Sequence, residues 1–474
     1  MKPDNISTSF IIIVAISYFF IFAGNIVAGE RLFYLPENPG YTIFDSMSDS
    51  IRFTLTKTLK TDEKGHLVSI SSFVDPEGNV MGWHDFGNLE GPGWAANAVG
   101  GAWEIYTLGK FIGDLEMQSR AIKILDHVLE CGFVEEGGFI RPYRETTSGK
   151  FCLNYKHNSW WFCPGSMAKI AYQMLRFASD ISDSARENKL RQTALRCAEW
   201  IDKNVENVPN GWFPRRTLPD GKVYKKSPDG GNDPFWQTSA DGLFIIQLQA
   251  ELTEQRLADY RGAMKVKISV FTNLGGIFGS INHDTYDANE NVAYSVAFRT
   301  LRQAARLLRD DNLKKFAYEK CLNGLEQFKM TEDRNGVATK GLLYMEKSWD
   351  TAYLWENAEA ALAYFEAALE TRATDLARSR EYELDGLTVL RAISKHHYGE
   401  HGFLTEGVDW NNHVGQQHHI NQQKYGAIKY TEPFLNNQHI TEPTLFYLNN
   451  LAAKVKKGNK TEWRDVEGNL IYSK

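Results

Sequence analysis

Five segments of the chain are apolar or small on nearly every side of a helical period: WAANAVGGAWEIYTLG from Trp94, SMAKIAYQMLRFA from Ser166, GLFIIQLQAEL from Gly242, NVAYSVAFRTLRQAARLL from Asn291 and WENAEAALAYFEAAL from Trp355. Helices of that composition are normally surrounded by other protein. Between them run segments with one charged face, such as MQSRAIKILDHVLEC from Met117, ENKLRQTALRCAEWIDKNV from Glu187 and DNLKKFAYEKCLNGLEQF from Asp311. These predict helices with a wet outer side. The alternation gives five inner and outer pairs, a sixth inner helix is expected over TEPTLFYLNNLAAKV from Thr441, and the segment at 44–59 supplies its outer partner.

Short joints lead from each inner segment to its outer neighbour, and long polar stretches carry the chain back. Gly, Trp, His, Asp and Asn collect in those returns: GWHDFGNLEGPG, NYKHNSWWFCPG, SPDGGNDPFWQTSADG, INHDTYDANEN, YMEKSWDTAYL and PFLNNQHITEP. Each return ends at the N-terminus of an inner helix, so a closed ring brings all of them to one mouth. With its glycine-aromatic turns EEGGFIRPY and NGWFPRR, this organisation resembles the six-hairpin glycosidase superfamily. That superfamily includes glycoside hydrolases, unsaturated glucuronyl hydrolases and sugar epimerases, with related toroids among polysaccharide lyases. The resemblance covers most of the chain after about residue 40 and implies an all-α fold, an (α/α)6 toroid of six helical hairpins with long loops at one mouth.

The first 29 residues read as targeting: Lys2 precedes an apolar run at 10–24, and Ala28 and Gly29 offer a cleavage site before Glu30. A secretory signal peptide is expected, the alternative being a retained membrane anchor, because the run approaches the roughly 20 residues that span a bilayer. Either places residues 30–474, read as a single toroid domain with 396–440 as a His/Asn/Gln-rich loop over its mouth, outside the cytoplasm, secreted or periplasmic. A net charge of −6 without a basic run excludes nucleic acid as the main partner. Cys131, Cys197 and Cys321 fall in helical patterns as small buried residues, while Cys152 and Cys163 bracket a loop and are the pair able to bridge. No cofactor is expected.

Glycoside hydrolysis takes one carboxylic acid to protonate the leaving oxygen and, in most families, a second carboxylate to activate water or attack. Asp85 lies in WHDFGN beside His84, and the resemblance implies an active-site role for it, because unsaturated glucuronyl hydrolases carry a similar His-Asp-hydrophobic-Gly run. Their second key Asp would fall where this chain reads SWWFCPGS, without an acid. Asp241 in WQTSADG opens an inner helix, where an acid either complements the helix dipole or does chemistry. His283 and Asp284 share a loop with Asp287 and Glu290, whose spacing suggests a capping box, and Asp350 suggests a helix cap. Glu356 sits one turn into its helix beside Trp355, and a buried carboxylate there would have the raised pKa that suits a general acid. The expected catalytic set is Asp85, Asp241 and Glu356.

Trp94, Trp160, Trp161, Trp236, Trp349 and Trp410 lie in or beside the mouth loops, where an aromatic face either stacks on a sugar ring or seals a loop. Arg141, Arg144, Arg215 and Arg216 are placed to pair with uronic acid carboxylates. Residues 396–439 hold seven of the twelve histidines. His413 and His418, with Tyr425 and the interleaved amides, match a sugar's hydroxyls. The same residues would also allow abstraction of a proton α to a carboxyl, and His413, His418 and His419 with Asp409 would allow metal binding; no HExxH spacing is present, and no metal is assigned. The sequence thus predicts an exported enzyme hydrolysing a glycosidic bond of an oligosaccharide or uronic-acid-containing glycan. The alternatives are a polysaccharide lyase or sugar epimerase using His and Tyr, and a non-catalytic glycan-binding protein.

Overall fold

The structure is a computed structural model that describes residues 40–70, 73–80, 88–94, 96–154, 160–226, 238–281, 287–411 and 428–474. Thr42 opens the first helix, α1 (Ile43–Phe53), through a capping box with Asp45. A π turn at Thr54–Thr58 leads into the hairpin β1 (Leu59–Thr61) and β2 (Leu67–Ser69). There follow β3 (Leu89–Glu90), α2 (Ala98–Ile112), α3 (Leu115–Glu130), β4 (Tyr143–Glu145), β5 (Phe151–Cys152), α4 (Pro164–Asp180), α5 (Ser184–Asn204), α6 (Leu243–Glu254), α7 (Arg261–Asn273), α8 (Asn291–Leu308) and α9 (Asp311–Phe316). Then come β6 (Thr351–Tyr353), α10 (Leu354–Thr371), α11 (Leu376–Ile393), β7 (His397–Tyr398), β8 (Phe403–Leu404), β9 (Gly407–Asp409), β10 (Ile428–Lys429), α12 (Pro433–Gln438) and α13 (Thr441–Asn450). A terminal meander of β11 (Ala453–Lys457), β12 (Lys460–Arg464) and β13 (Leu470–Ser473) ends the chain.

The inner helices touch in the order α2, α4, α6, α8, α10, α13 and back to α2, which closes the ring. Helices α3, α5, α7, α9 and α11 each pack outside the helix that precedes them, and α1 packs on α12 and α13. The fold is the (α/α)6 toroid. Small residues allow that packing: Ala358, Ala360, Ala361, Ala363, Ala367 and Ala368 of α10 are all buried. Gly386 of α11 is needed where the two helices meet, since a Cβ there would lie 2.5 Å from the Phe365 ring.

The outer helices start where the sequence provides an acceptor. Asp114, Asp183, Asp310 and Asp375 cap α3, α5, α9 and α11 by accepting backbone N–H groups of the first turn. The outer helix expected from Asp311 is not regular: α9 passes into a π turn at Ala317–Leu322 and a 3-10 turn at Asn323–Phe328. Gly324 lets Tyr294 pack there, at a spot where a Cβ would meet the ring at 2.3 Å.

The helix expected from Thr441 also ends early, at Asn450, because Gly458 and Asn459 form a two-residue turn that pairs Lys457 with Lys460. The meander lays Tyr472 on Phe44 and Trp463 against Phe111, sealing α1 to the end of α2. Within 396–440, the pairs β7 with β8 and β9 with β10 are ordered, and β9 also pairs with β6 at the entrance to α10. All five cysteines are free thiols, including Cys152 and Cys163. Among the described residues no helix is long and apolar enough to cross a membrane.

Candidate active site

Unlike most outer helices, the inner helices α2, α4, α6, α8, α10 and α13 start without a side-chain cap. Whereas α13 starts deeper in the ring, where its Glu442 pairs with Arg176 of α4, the first-turn N–H groups and positive dipole ends of α2, α4, α6, α8 and α10 converge on the mouth. Asp241 is set among them by a 3-10 turn, Ala240–Gly242, that leads into α6. Ser239 Oγ accepts the Asp241 N–H at 3.2 Å and donates to the Ser280 carbonyl at 2.7 Å, which anchors that turn.

Gly165, in the first turn of α4, makes room for the acid. A Cβ at Gly165 would stand 2.2 Å from the Asp241 carbonyl oxygen and 2.7 Å from its Oδ2. Gly165→Ala is therefore expected to push the Asp241 turn outward and destabilise the protein by about 1–3 kcal/mol, the usual cost of overpacking. Chemical denaturation of the two proteins measures this, and equal stability would show that the turn yields freely.

Burial drives the Asp241 pKa up to about 7, with Arg215, Lys169, Arg216 and the backbone N–H of Gly165 beside the carboxyl offsetting only part of that cost. The residue is 3% exposed, and its Oδ2 has no hydrogen-bond partner among the described residues. One turn beyond Gly165, the Lys169 ammonium lies 4.1 Å from the Trp94 ring centre, 5.5 Å from that of Phe244 and 5.7 Å from that of Trp355. Trp94 stands edge-on to Trp355 at 4.8 Å. Burial lowers the Lys169 pKa, against the pull of Glu359, Glu442 and Glu104. Trp355 and Lys169 had no site role in the sequence reading, where both looked like helix core.

Glu356 is buried at the start of α10, and its Oε2 accepts a 3.0 Å hydrogen bond from Asn291 Nδ2. The same amide donates to the Tyr344 carbonyl, while Asn357 clamps Leu343 through both backbone groups. Buried amides thus stitch the fifth return to α8 and α10. The capping box expected of Asp287 and Glu290 does not form, because their carboxylates have other donors: Asp287 takes the Ser348 N–H and Glu290 takes the Ile281 N–H. Asp350 caps no helix either; it accepts from Trp410 Nε1 at 3.1 Å and from Asn411.

Trp94 is half-buried in the Lys169 cage, Trp160 is 73% exposed, and Trp349 and Trp410 pack partly against the core. Trp161 is buried, with the Arg216 guanidinium 4.2 Å from its ring centre, so this indole forms wall and not a free stacking face. Arg141 is committed to Glu135 and the Gly132 carbonyl, and Arg144 to Glu90. Arg215 and Arg216 are buried, near enough to Asp241 to act on its ionisation. His84, Asp85, Trp236, His283, Asp284, His413, His418 and Tyr425 lie outside the described residues.

A cleft of about 360 Å³ opens by the C-terminal halves of α2 and α4 and along α13, lined by Trp103, Arg176, Asp180 and Glu442. Its polar groups are already spent on one another: Trp103 Nε1 donates to Asp180 at 3.0 Å, and Arg176 pairs with Glu442 at 3.3 Å. The mouth differs in presenting Asp241, whose Oδ2 is not spent on such a pair among the described residues.

No protein-family model matches the sequence, and no curated protein matches it. Solved structures do. A sugar epimerase from a ruminal bacterium superposes with a TM-score of 0.56 at 15% identity, over 86% of this chain and 99% of that one. Cellobiose 2-epimerase from Bacillus thermoamylovorans B4167 gives 0.57 at 9% identity, over 85% and 98%. A family 76 glycoside hydrolase from a bovine Bacteroides thetaiotaomicron strain gives 0.50 at 11% identity, over 86% and 78%. At such identities the likeness is one of fold alone, that of the (α/α)6 toroid.

Proposed function

We propose that the protein is an exported carbohydrate-active enzyme that hydrolyses a glycosidic bond at the mouth of its toroid, with Asp241 as general acid. One observation carries this reading: a carboxyl at the mouth, protonated up to about pH 7, that keeps an oxygen without a hydrogen-bond partner among the described residues. Its neighbours are the aromatic faces and cations around Lys169. In the reaction Asp241 gives its proton to the glycosidic oxygen as the bond to the anomeric carbon breaks, and water adds to that carbon. Glu356, or Asp85 from the first return, takes the proton of that water. The glycosidic hydrolases and sugar epimerases that share the fold support a sugar substrate.

A second reading is favoured by the cations beside Asp241. The ionised carboxylate would remove a proton α to a carbonyl, and Lys169, Arg215 and Arg216 would stabilise the enolate, giving epimerisation. A panel of neutral and acidic oligosaccharides separates the two. New reducing ends without ultraviolet absorbance are expected. Conversion of the reducing-end sugar without cleavage would replace hydrolysis by epimerisation, and absorbance of an unsaturated uronic acid would replace it by elimination. Binding without any turnover would leave a glycan-binding protein.

A further inference from the structure

Two short patterns that are far apart in sequence meet in space: Asp62-x3-His66 on the β1–β2 turn and His127-x3-Cys131 at the end of α3. One ligand-type atom from each of the four side chains falls within 4.8 Å of the others. Asp62 Oδ2 lies 3.0 Å from Nδ1 of His66 and 3.0 Å from Nδ1 of His127, and Cys131 Sγ lies 3.8 Å from His66 Nδ1. Ligand bonds of roughly 2.0–2.3 Å to a tetrahedral zinc ion would set such atoms about 3.3–3.6 Å apart. The observed separations straddle that range.

The outer nitrogens strengthen the case. His66 Nε2 faces Glu130 at 3.4 Å and His127 Nε2 faces Glu90 at 3.5 Å, so each ring lies between two carboxylates. A neutral imidazole donates from only one nitrogen. With a metal at the inner nitrogens, Nδ1 ligates and the one remaining donor of His66, Nε2–H, points at Glu130, the carboxylate-histidine arrangement that orients metal ligands, while His127 Nε2 faces both Glu90 and the Arg144 guanidinium. Arg144 Nη2 lies 3.5 Å from His127 Nε2 and pairs with Glu90, and Lys64 Nζ lies 3.9 Å from Cys131 Sγ, which is on the open side.

The turn itself is built to present the acid. Asp62 Oδ1 accepts the backbone N–H groups of Lys64 and His66 at 2.9 and 2.8 Å, which leaves Oδ2 for the cluster. His127 and Cys131 stand one helical turn apart and face the same way.

We propose that Asp62, His66, His127 and Cys131 form a structural metal site, with zinc as the cation that their oxygen, nitrogen and sulfur donors suit. It ties the first hairpin to the end of the first outer helix of the α2–α3 pair, on elements other than those carrying Asp241 and Glu356. It stands whether or not the protein acts on sugars.

Metal analysis and cobalt titration of the purified, metal-stripped protein test it. The expected result is one equivalent of cobalt per chain, with the visible bands of tetrahedral cobalt and a near-ultraviolet thiolate-to-cobalt band. Cys131→Ser should remove the thiolate band while Cys321→Ser keeps it, with circular dichroism showing both folded. Glu90→Gln or Glu130→Gln should weaken cobalt binding by about 10- to 100-fold. His127→Gln provides a second ligand variant should Cys131→Ser fail to fold. A wild-type protein without a thiolate band, or a band that survives Cys131→Ser, overturns the site; cobalt held by the histidines of 413–419 would give the first of these.

Discussion

Asp241→Asn is expected to lower kcat by about 100- to 10,000-fold, the contribution of a positioned general acid, and to make the protein more stable at neutral and alkaline pH. The two effects have one cause. The carboxyl is buried and its folded pKa is about 7, against an ordinary value of 3.8. When an acid's pKa is raised by folding, the unfolded chain loses its proton first. Stability is therefore highest below about pH 4 and falls as pH rises towards 7, by up to about 4 kcal/mol for a shift of this size. Asparagine has no proton to lose, so the stability difference between the variant and the wild type should widen between pH 4 and pH 8 in urea titrations. A gap that does not change with pH would mean that Asp241 is ionised throughout. A variant that is equally active would remove it from the chemistry.

Arg299→Met should cost about 3–5 kcal/mol, the usual consequence of leaving buried charges without their partner. Arg299 is 5% exposed and joins three helices, reaching Glu359 at 2.5 Å, Glu366 at 3.3 Å and Glu442 at 3.6 Å. Burial opposes ionisation of Glu366, but Arg299 and Arg302 outweigh it and hold its pKa at about 2. That depressed pKa gives stability that is full above the unfolded value and lost as pH falls towards 2. The penalty of Arg299→Met should thus be largest at neutral pH and shrink below about pH 4, as read from thermal unfolding across that range. A loss below 1 kcal/mol at pH 7 would show that water or neighbouring cations replace the guanidinium.

The ring was legible in the sequence because its helices carry the information locally. Small residues through WENAEAALAYFEAAL leave no wet face, and an aspartate precedes each of α3, α5, α9 and α11. The C-terminal meander was missed although KKGNKTEWR holds a two-residue turn, because the apolar residues before it continue the period of α13. Asp241 could be read as an acid at a helix start, but not its burial, which depends on Gly165 from a segment 76 residues away. Asp287 and Glu290 had the spacing of a cap, and tertiary donors won over it. The Asp62 and His127 patterns are separated by about 60 residues, and only the packing of a hairpin on a helix end brings them together.

The most direct test is the pH dependence of kcat/KM for the first glycan found to be cleaved, with wild type and Asp241→Asn measured side by side. An alkaline limb with a midpoint near 7 in the wild type, and a residual rate in the variant that lacks this limb, is the expected result. A wild-type rate that is level through pH 7, or a variant that keeps the same limb, would contradict Asp241 as the acid.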